Sequence, residues 1–467
     1  MHKEELRKYF DDYAGQRDRW RKKNRYYHEK LAGYFSYIIP SRSRVLEIGC
    51  STGELLAAMH PAVGAGVDFS AQMIHLARSR YPALRFLEDD AEALTLDEKF
   101  DYIILSDLVS GLWDIQAALK NLHRVSHSRS RIVISFYNYL WEPLFRLAER
   151  LRLKYKQPLQ NWLSPADLDN LLRLEGFETI RIDRKLLLPR NIPVLGFLFN
   201  RIIANLPLIN RLCMINILIA RPQSPLEQER SVSIVIPARN ESGNIENAVR
   251  RIPPFGAHQE IIFIEGHSRD DTFEKMVAVK QNYPARDIKV IQQSGTGKAN
   301  AVFEAFAAAS GDILMILDAD LTTPPEDLPK FYEALKSNRG DFINGCRLVY
   351  PMEREAMRFL NLLANKFFGQ FFSYLLGQRL KDTLCGTKAL LKSDHEKIRE
   401  NRDYFGEFDP FGDFDLLFGA AKLNLKIVEV IVRYRERNYG SSQISRFRHG
   451  LLLLRMSLFA AKKIKFI

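Results

Sequence analysis

Cysteine is scarce in this chain, and the four that occur, Cys50, Cys213, Cys346 and Cys385, lie far apart with no C-x-x-C pair among them. That spacing excludes a disulfide-stapled scaffold and a thiolate zinc site. Long apolar runs are missing too, since no uninterrupted stretch reaches the roughly 18 residues that a bilayer-spanning helix needs. The longest candidate, residues 186–220, is cut by Arg190, Arg201, Arg211 and several prolines, so an amphipathic helical elaboration is expected there. The amino terminus carries no secretory pattern, which together with the unpaired cysteines points to a reducing, cytoplasmic location. Acidic residues are outnumbered, 56 against 68 basic, for a net charge of +12. Such an excess suits nucleic acid, nucleotide-sugar phosphates or anionic lipid without choosing among them.

What is present is enough chain for two or three domains: 467 residues, nearly half of them apolar. Residues 1–40 are dense in Arg, Lys and Tyr with apolar positions at helical spacing, which predicts a leading helix or two. The segment RVLEIGCSTGELLAAM then reads as a buried strand turning through Gly49 and Gly53 into a helix, and GAGVDFS as a second strand closing on Asp68. Glycines let a backbone approach a ligand, and an acidic residue about 20 positions further on is where a ribose hydroxyl is met in a doubly wound sheet. Further strands follow in FDYIILSDLVSGL, which ends on Ser106 and Asp107, and in RIVISF. LSPADLDNLLRLEGFETIRI predicts a helix capped by Ser164 and then a strand. A hydroxyl acceptor for any group transfer here would need a base such as His or Asp, but His123, His127, Tyr137, Asn138 and Tyr139 are equally well read as packing residues.

The Glu-x-Gly-x-x-x-Gly turn with its acidic second strand resembles the class I S-adenosylmethionine-dependent methyltransferases over about residues 10–185. The resemblance implies that Glu47, Gly49 and Gly53 hold the methionine part of S-adenosylmethionine and Asp68 its ribose. It also implies that Asp90 and Ala91 meet the adenine and that Ser106 lies beside the cofactor. Ser51 stands where that family often has another glycine.

A polar stretch with two prolines, residues 221–231, reads as a linker between a first domain at 1–220 and a second at 232–445. The second is organised around Asp318-Ala319-Asp320, two carboxylates one residue apart where the apolar run ILMIL surfaces. In extended chain, residues two apart point the same way, and two such oxygen donors can hold a hard divalent ion against a diphosphate. GTGK at 295–298 is not a P-loop, because Gln292 stands at the upstream glycine position and Ala299 replaces the Ser or Thr.

VSIVIPARNES, EIIFIEGHSRDDT, the stretch through DAD, and GCRL follow one another in an order that resembles glycosyltransferase family 2, in particular its dolichyl-phosphate mannose synthase-like branch, over about 231–445. The resemblance implies a GT-A sheet and carries nucleotide-sugar binding to Pro237, Ala238, Asn240, Glu241, Glu265, Ser268, Asp270, Lys298, Asp318 and Arg347. It implies Mg²⁺ or Mn²⁺ on Asp318 and Asp320, with Thr322 as a further ligand in related enzymes, and acidic acceptor-side groups at Asp413 and Asp415. Lys388, Arg437 and Ser442 would contact acceptor or phosphate, with Lys388 in place of a more usual arginine and Gln443 in place of a common lysine. Glu265-Gly266-His267 departs from the commoner Asp-Asp-Gly, which leaves uridine and guanosine both open.

The expected whole is an α/β protein of two Rossmann-like domains, a methyltransferase sheet followed by a glycosyltransferase sheet. A helix near 354–376 and a basic amphipathic tail at 446–467 would lie on a membrane surface. Its partners would be a UDP- or GDP-sugar and a polyprenyl phosphate at the inner face of the membrane, with no nucleic acid. Two alternatives stay open: sugar transfer to a glycan or protein hydroxyl, and a first domain that binds its cofactor as a scaffold without transferring methyl groups.

Overall fold

Two strands with apolar residues on both faces, VLEI in the first half and VSIVI in the second, each nucleate a separate parallel sheet, as buried parallel strands do. The computed structural model describes residues 3–157, 160–225, 228–350, 359–401, 412–437, 439 and 446–466. The chain divides after Ser224 into two compact units.

In the first unit, β1 (Arg44–Ile48), β2 (Val63–Asp68), β3 (Arg85–Glu88), β4 (Phe100–Ser106), β5 (Ser126–Tyr137), β6 (Phe177–Lys185) and β7 (Ile215–Pro222) form one sheet in the order β3-β2-β1-β4-β5-β7-β6. All neighbours pair in parallel except β7, which runs antiparallel to both β5 and β6. The order reverses between β1 and β4, and a ligand crevice belongs beyond the carboxyl ends of the strands at such a point. Three helices, Lys3–Ala14, Arg17–Lys23 and Arg25–Ile38, precede the sheet. Several of their cations are spent inside the unit: Lys3 on Asp90 and Glu92, Arg7 on Glu88, and Arg17 on Thr52. The helix Pro165–Leu174 carries the capping box predicted at Ser164, with Asp167 reciprocating.

The stretch expected to be a helical elaboration is only partly so. Short helical turns occupy Leu195–Phe197, Leu198–Ile202, Ile203–Asn205 and Ile209–Leu212, but Ile215–Pro222 is a strand buried at all eight positions. Arg221 and Pro222, expected in the linker, belong to it, and the fully buried Arg221 guanidinium pairs with Glu178 at 3.2 Å. The alternation of INILIA suits a strand inside a sheet, and its β-branched residues pack better there than on a helix.

In the second unit, β8 (Val232–Ala238), β9 (Gln259–Glu265), β10 (Asp287–Gln292), β11 (Ile313–Ile316), β12 (Phe342–Cys346), β13 (Lys388–Leu391) and β14 (Ile427–Ile431) are ordered β10-β9-β8-β11-β13-β12-β14. Only β13 is antiparallel to its neighbours. The reversal lies between β8 and β11, so Pro237-Ala238 and Asp318-Ala319-Asp320 emerge side by side.

The helix Phe359–Leu376 buries Phe368, Phe372 and Leu375, with the Phe372 ring 4.6 Å from that of Phe414, while Leu363 and Phe367 stay exposed. The helix Arg446–Ile464 lies beside it through Lys465 over the Tyr374 ring and leaves Leu454 and Leu458 exposed. Each therefore fills core on one face and offers aliphatic side chains on another. Among the described residues no helix is long and apolar enough to cross a membrane.

Candidate active sites

The first site grows from the turn after β1. Gly49, Ser51 and Gly53 all have positive φ, and a Cβ on Gly53 would lie 2.6 Å from the Phe86 ring, so glycine is required there by both backbone and space. The Asp68 carboxylate at the end of β2 ties this turn to the next strand, accepting from Ser51 N–H at 2.8 Å and from Ser70 N–H at 3.0 Å. Glu47 accepts from Leu56 N–H at 2.9 Å, holding the first turn of the following helix. Burial pushes the Glu47 carboxyl up to about 8 and raises that of Asp68 as well, against the opposing pull of backbone N–H groups and of the Arg17 charge.

Glu47, Gly49, Asp68, Asp90, Ala91 and Ser106 all line one cavity of about 760 Å³, within the range of small-molecule sites. Gly53 shapes the turn from behind and does not line it. Asp90 is held by Lys3 at 2.6 Å and accepts from Glu92 N–H, and Ser106 Oγ sits 3.4 Å from Ser135 Oγ.

Deeper in the same cavity is a constellation of which sequence reading singled out only parts. Asp107, at φ 56°, is fixed by its N–H to Ser135 and accepts from Ser135 Oγ at 2.9 Å and from the Tyr27 hydroxyl. Burial raises its carboxyl, with Tyr27, Ser135 and Tyr137 hydrogen bonds opposing the shift. An acid just past the end of an apolar strand was the available signal for Asp107. Nothing local could have pointed to Tyr27, 80 residues upstream. His123 stacks on Phe177 and His127 lies beside Asp101, so neither histidine belongs to this group.

In the second unit, the turns after β8 and β9 are laced together. Asn240 N–H donates to Ser268 Oγ at 2.9 Å, Arg269 N–H to Asn240 Oδ1 at 2.7 Å, Ser268 N–H to Glu265 Oε1 at 2.5 Å, and Glu241 N–H to Thr272 Oγ1 at 3.0 Å. Asp270 accepts from Thr272 in turn. Pro237 and Ala238 end β8 beside them. The residues singled out on these two turns therefore share one edge.

The carboxylates after β11 meet cations. Lys298 Nζ lies 2.5 Å from Asp318 Oδ1, and Arg437 reaches Asp320 at 2.6 Å and Glu241 at 3.2 Å. Thr322 Oγ1 donates to Asp320 at 2.8 Å. Burial opposes charge on Asp318, but Lys298 outweighs it and holds the carboxyl below the usual range. Burial likewise opposes charge on Lys298, yet Asp318 and Asp413 hold its ammonium above the ordinary lysine value. Burial pushes Glu241 up to about 7 despite Asn244 and Arg437. Gly386 backs the pair: a Cβ there would fall 2.1 Å from Asp318 Oδ2 and 2.6 Å from Lys298 Nζ.

Lys388, fully buried, bridges to Asp413 at 2.8 Å. Asp413 and Asp415 open the helix Asp413–Lys422, both buried. Arg347, expected at the donor, makes a two-pronged pair with the buried Asp382 at 2.7 and 2.8 Å, and its field reaches Asp318. A partner 35 residues away decides where that guanidinium points. Ser442 lies outside the described residues. No three His, Cys, Asp or Glu side chains gather into a metal cluster among the described residues. Two carboxylates with a threonine hydroxyl nonetheless suit Mg²⁺, which typically takes one or two carboxylates and completes its shell with phosphate oxygens and water.

Residues 233–399 match the family model for glycosyl transferase family 2, and residues 45–128 match a methyltransferase domain model. Over 223 residues the chain is 36% identical to a dolichol-phosphate mannosyltransferase of Pyrococcus furiosus, covering 46% of this chain and 59% of that one. Over 227 residues it is 30% identical to an undecaprenyl-phosphate 4-deoxy-4-formamido-L-arabinose transferase of Salmonella paratyphi B, covering 47% and 64%. The chain thus spans about three fifths of the length of these curated relatives. Among solved structures, a possible histamine N-methyltransferase from Thermotoga maritima aligns at 18% identity and TM-score 0.37, over 46% of this chain and 97% of that one. Glucosyl-3-phosphoglycerate synthase from Mycobacterium tuberculosis, in complex with Mn²⁺, UDP and phosphoglyceric acid, aligns at 20% and 0.39, over 50% and 78%.

Proposed function

The chain joins a methyltransferase domain to a family 2 glycosyltransferase domain, and we propose from that premise that it carries two transfer sites. In the second unit a sugar passes with inversion from a UDP- or GDP-sugar to a polyprenyl phosphate at the membrane surface. In the first, a methyl group passes from S-adenosylmethionine.

The observation that carries the sugar-transfer reading is the set of ion pairs at the strand ends. Lys298 and Arg437 are held over the site by Asp318 and Asp320, ready to turn toward the charge that grows on a departing nucleoside diphosphate. Asp318 and Asp320 would hold Mg²⁺ or Mn²⁺, which when bound supplies Lewis-acid neutralisation of that leaving group. The laced turns carrying Asn240, Glu241, Glu265, Ser268 and Asp270 offer the nucleoside a preorganised edge.

A phosphate acceptor is supported by the two curated relatives, whose names specify dolichol phosphate and undecaprenyl phosphate. It is supported also by Asp413, which is engaged by Lys388: a phosphate arrives ionised and needs no base, whereas an alcohol does. Leu363, Phe367, Leu454 and Leu458, with the basic Lys462 and Lys463, offer the second unit a peripheral hold on the cytoplasmic leaflet.

In the first unit Asp68 and Glu47 face the cavity with their carboxyls raised by burial that Arg17 only partly offsets, which favours a ligand bearing a sulfonium and an ammonium. Asp107, with Tyr27 and Tyr137 around it, is the group able to take a proton from a hydroxyl acceptor. Both readings are checked by mass analysis of products from nucleotide-sugar and polyprenyl-phosphate panels with S-adenosylmethionine present. Asp413→Asn with Asp415→Asn should keep transfer to phosphate, and loss of it in a variant that urea unfolding shows to be folded would favour an alcohol acceptor. Asp107→Asn should keep S-adenosylmethionine affinity and lose methyl transfer; unchanged turnover would remove its role as base.

A further inference from the structure

The helix Glu142–Arg150 buries none of its residues fully. Leu144, Leu147 and Leu151, spaced three and four apart, form one stripe along it, and all three face solvent. Its neighbour is the loop of short helical turns before β7: the Trp141 indole N–H donates to Leu212 O at 2.8 Å and Asn138 Nδ2 to Arg211 O at 2.7 Å. That loop is equally wasteful of apolar surface. Val194 is 80% exposed and Leu208 72%, each projected from a positive φ that such residues rarely adopt, and Phe197 is 58% exposed.

An apolar patch of this kind marks an interaction site, and the charges around it say which. From 186 to 212 there are three arginines, Arg190, Arg201 and Arg211, and no acidic residue. Arg146, Arg150 and Arg152 punctuate the leucine stripe of the adjoining helix and outnumber its acids, Glu142, which pairs with Arg146, and Glu149, which pairs with Lys154. Aliphatic and aromatic side chains fringed by arginine complement an anionic lipid surface, where the former enter the acyl boundary and the latter meet headgroups. A protein partner would need an acidic surface shaped to these projecting side chains, whereas an anionic bilayer supplies negative charge and apolar depth together. We propose that the first unit seats this patch on an anionic bilayer, independently of the helices of the second unit. Phe145, Lys154 and Arg190 belong both to this region and to the lining of the first cavity, so docking would bring that cavity to the lipid surface.

The test uses the full chain with single thiols at Phe197→Cys and Leu147→Cys, each carrying an environment-sensitive fluorophore, and Val277→Cys as a control. The four natural cysteines are all buried, so labelling is selective. In vesicles of phosphatidylethanolamine and phosphatidylglycerol, emission at 197 and 147 should shift to the blue and fall by about twofold or more when the acyl chains are brominated, while 277 is unaffected. High salt should weaken the effect. Cosedimentation with vesicles but no quenching at 197 or 147 would overturn the proposal, as would absence of cosedimentation or equal quenching with neutral vesicles. S-adenosylmethionine calorimetry on the labelled proteins reports that the unit is folded whichever way the quenching falls.

Discussion

The two sites treat their carboxylates in opposite ways. In the first, Glu47 and Asp68 are satisfied by backbone N–H groups, and burial is left to push both carboxyls up. In the second, Asp318, Asp320, Asp382 and Asp413 each face a lysine or arginine. In the first site Arg17 opposes the effect of burial on both acids without overcoming it. In the second, each of these four carboxylates is matched to a side-chain cation before any ligand arrives. Similar architecture, a doubly wound sheet with acids at its strand ends, thus holds its carboxylates in two ways, on backbone donors or on side-chain cations.

Breaking the most deeply buried pair should give the largest effect. Lys388→Met leaves Asp413 buried without its ion-pair partner, and stability measured by urea unfolding should fall by about 3–5 kcal/mol, the cost of breaking a buried pair from one side. Adding Asp413→Asn should restore most of it; a double variant no more stable than the single would show that the pair is not what holds this part of the fold.

Next in size is the chemistry. Asp320→Asn should slow sugar transfer on the order of a hundredfold or more, the scale for losing one strong transition-state stabiliser, with methyl transfer unchanged. Undiminished transfer in excess chelator would defeat the metal assignment.

The smallest effect probes the first site. With its carboxyl at about 8, Glu47 is protonated in the free protein at neutral pH, and a cationic ligand favours the carboxylate. Affinity for S-adenosylmethionine should therefore rise between about pH 6 and 7.5, by at most about tenfold per pH unit for one proton released. Glu47→Gln should flatten the slope. The ligand-free fold should show the reverse trend, losing stability as pH rises from the usual carboxylate range toward about 8, because there the folded chain binds a proton that the unfolded chain has already released.

Local pattern carried much of this. The glycine turn before Gly53, the acid closing β2 and the paired aspartates after ILMIL are short-range signals, since strand, turn and helix start each leave their mark within a few residues. What stayed hidden depends on distant chain. Arg347 is captured by Asp382, Lys388 by Asp413, and Asp107 by Tyr27, and no spacing rule links such partners. Ile215–Pro222 was misread because arginines upstream made a strand and a loop look like one interrupted helix. The exposed leucines between 144 and 151 are indistinguishable in sequence from a core stripe, because helical spacing reports a shared face and not what covers it.

The antiparallel β7 also sets an order of events during synthesis. It lies between β5 and β6, so β6 finishes at Lys185 with no sheet neighbour until the chain has been extended to Ile215 and beyond. A ribosome that has released everything up to Lys185 has exposed the ends of β1, β2 and β4 that line the first cavity but cannot close the sheet, since β6 joins it through β7. The first unit is therefore completed by its last strand, with only Gln223 and Ser224 left to emerge before the second unit begins.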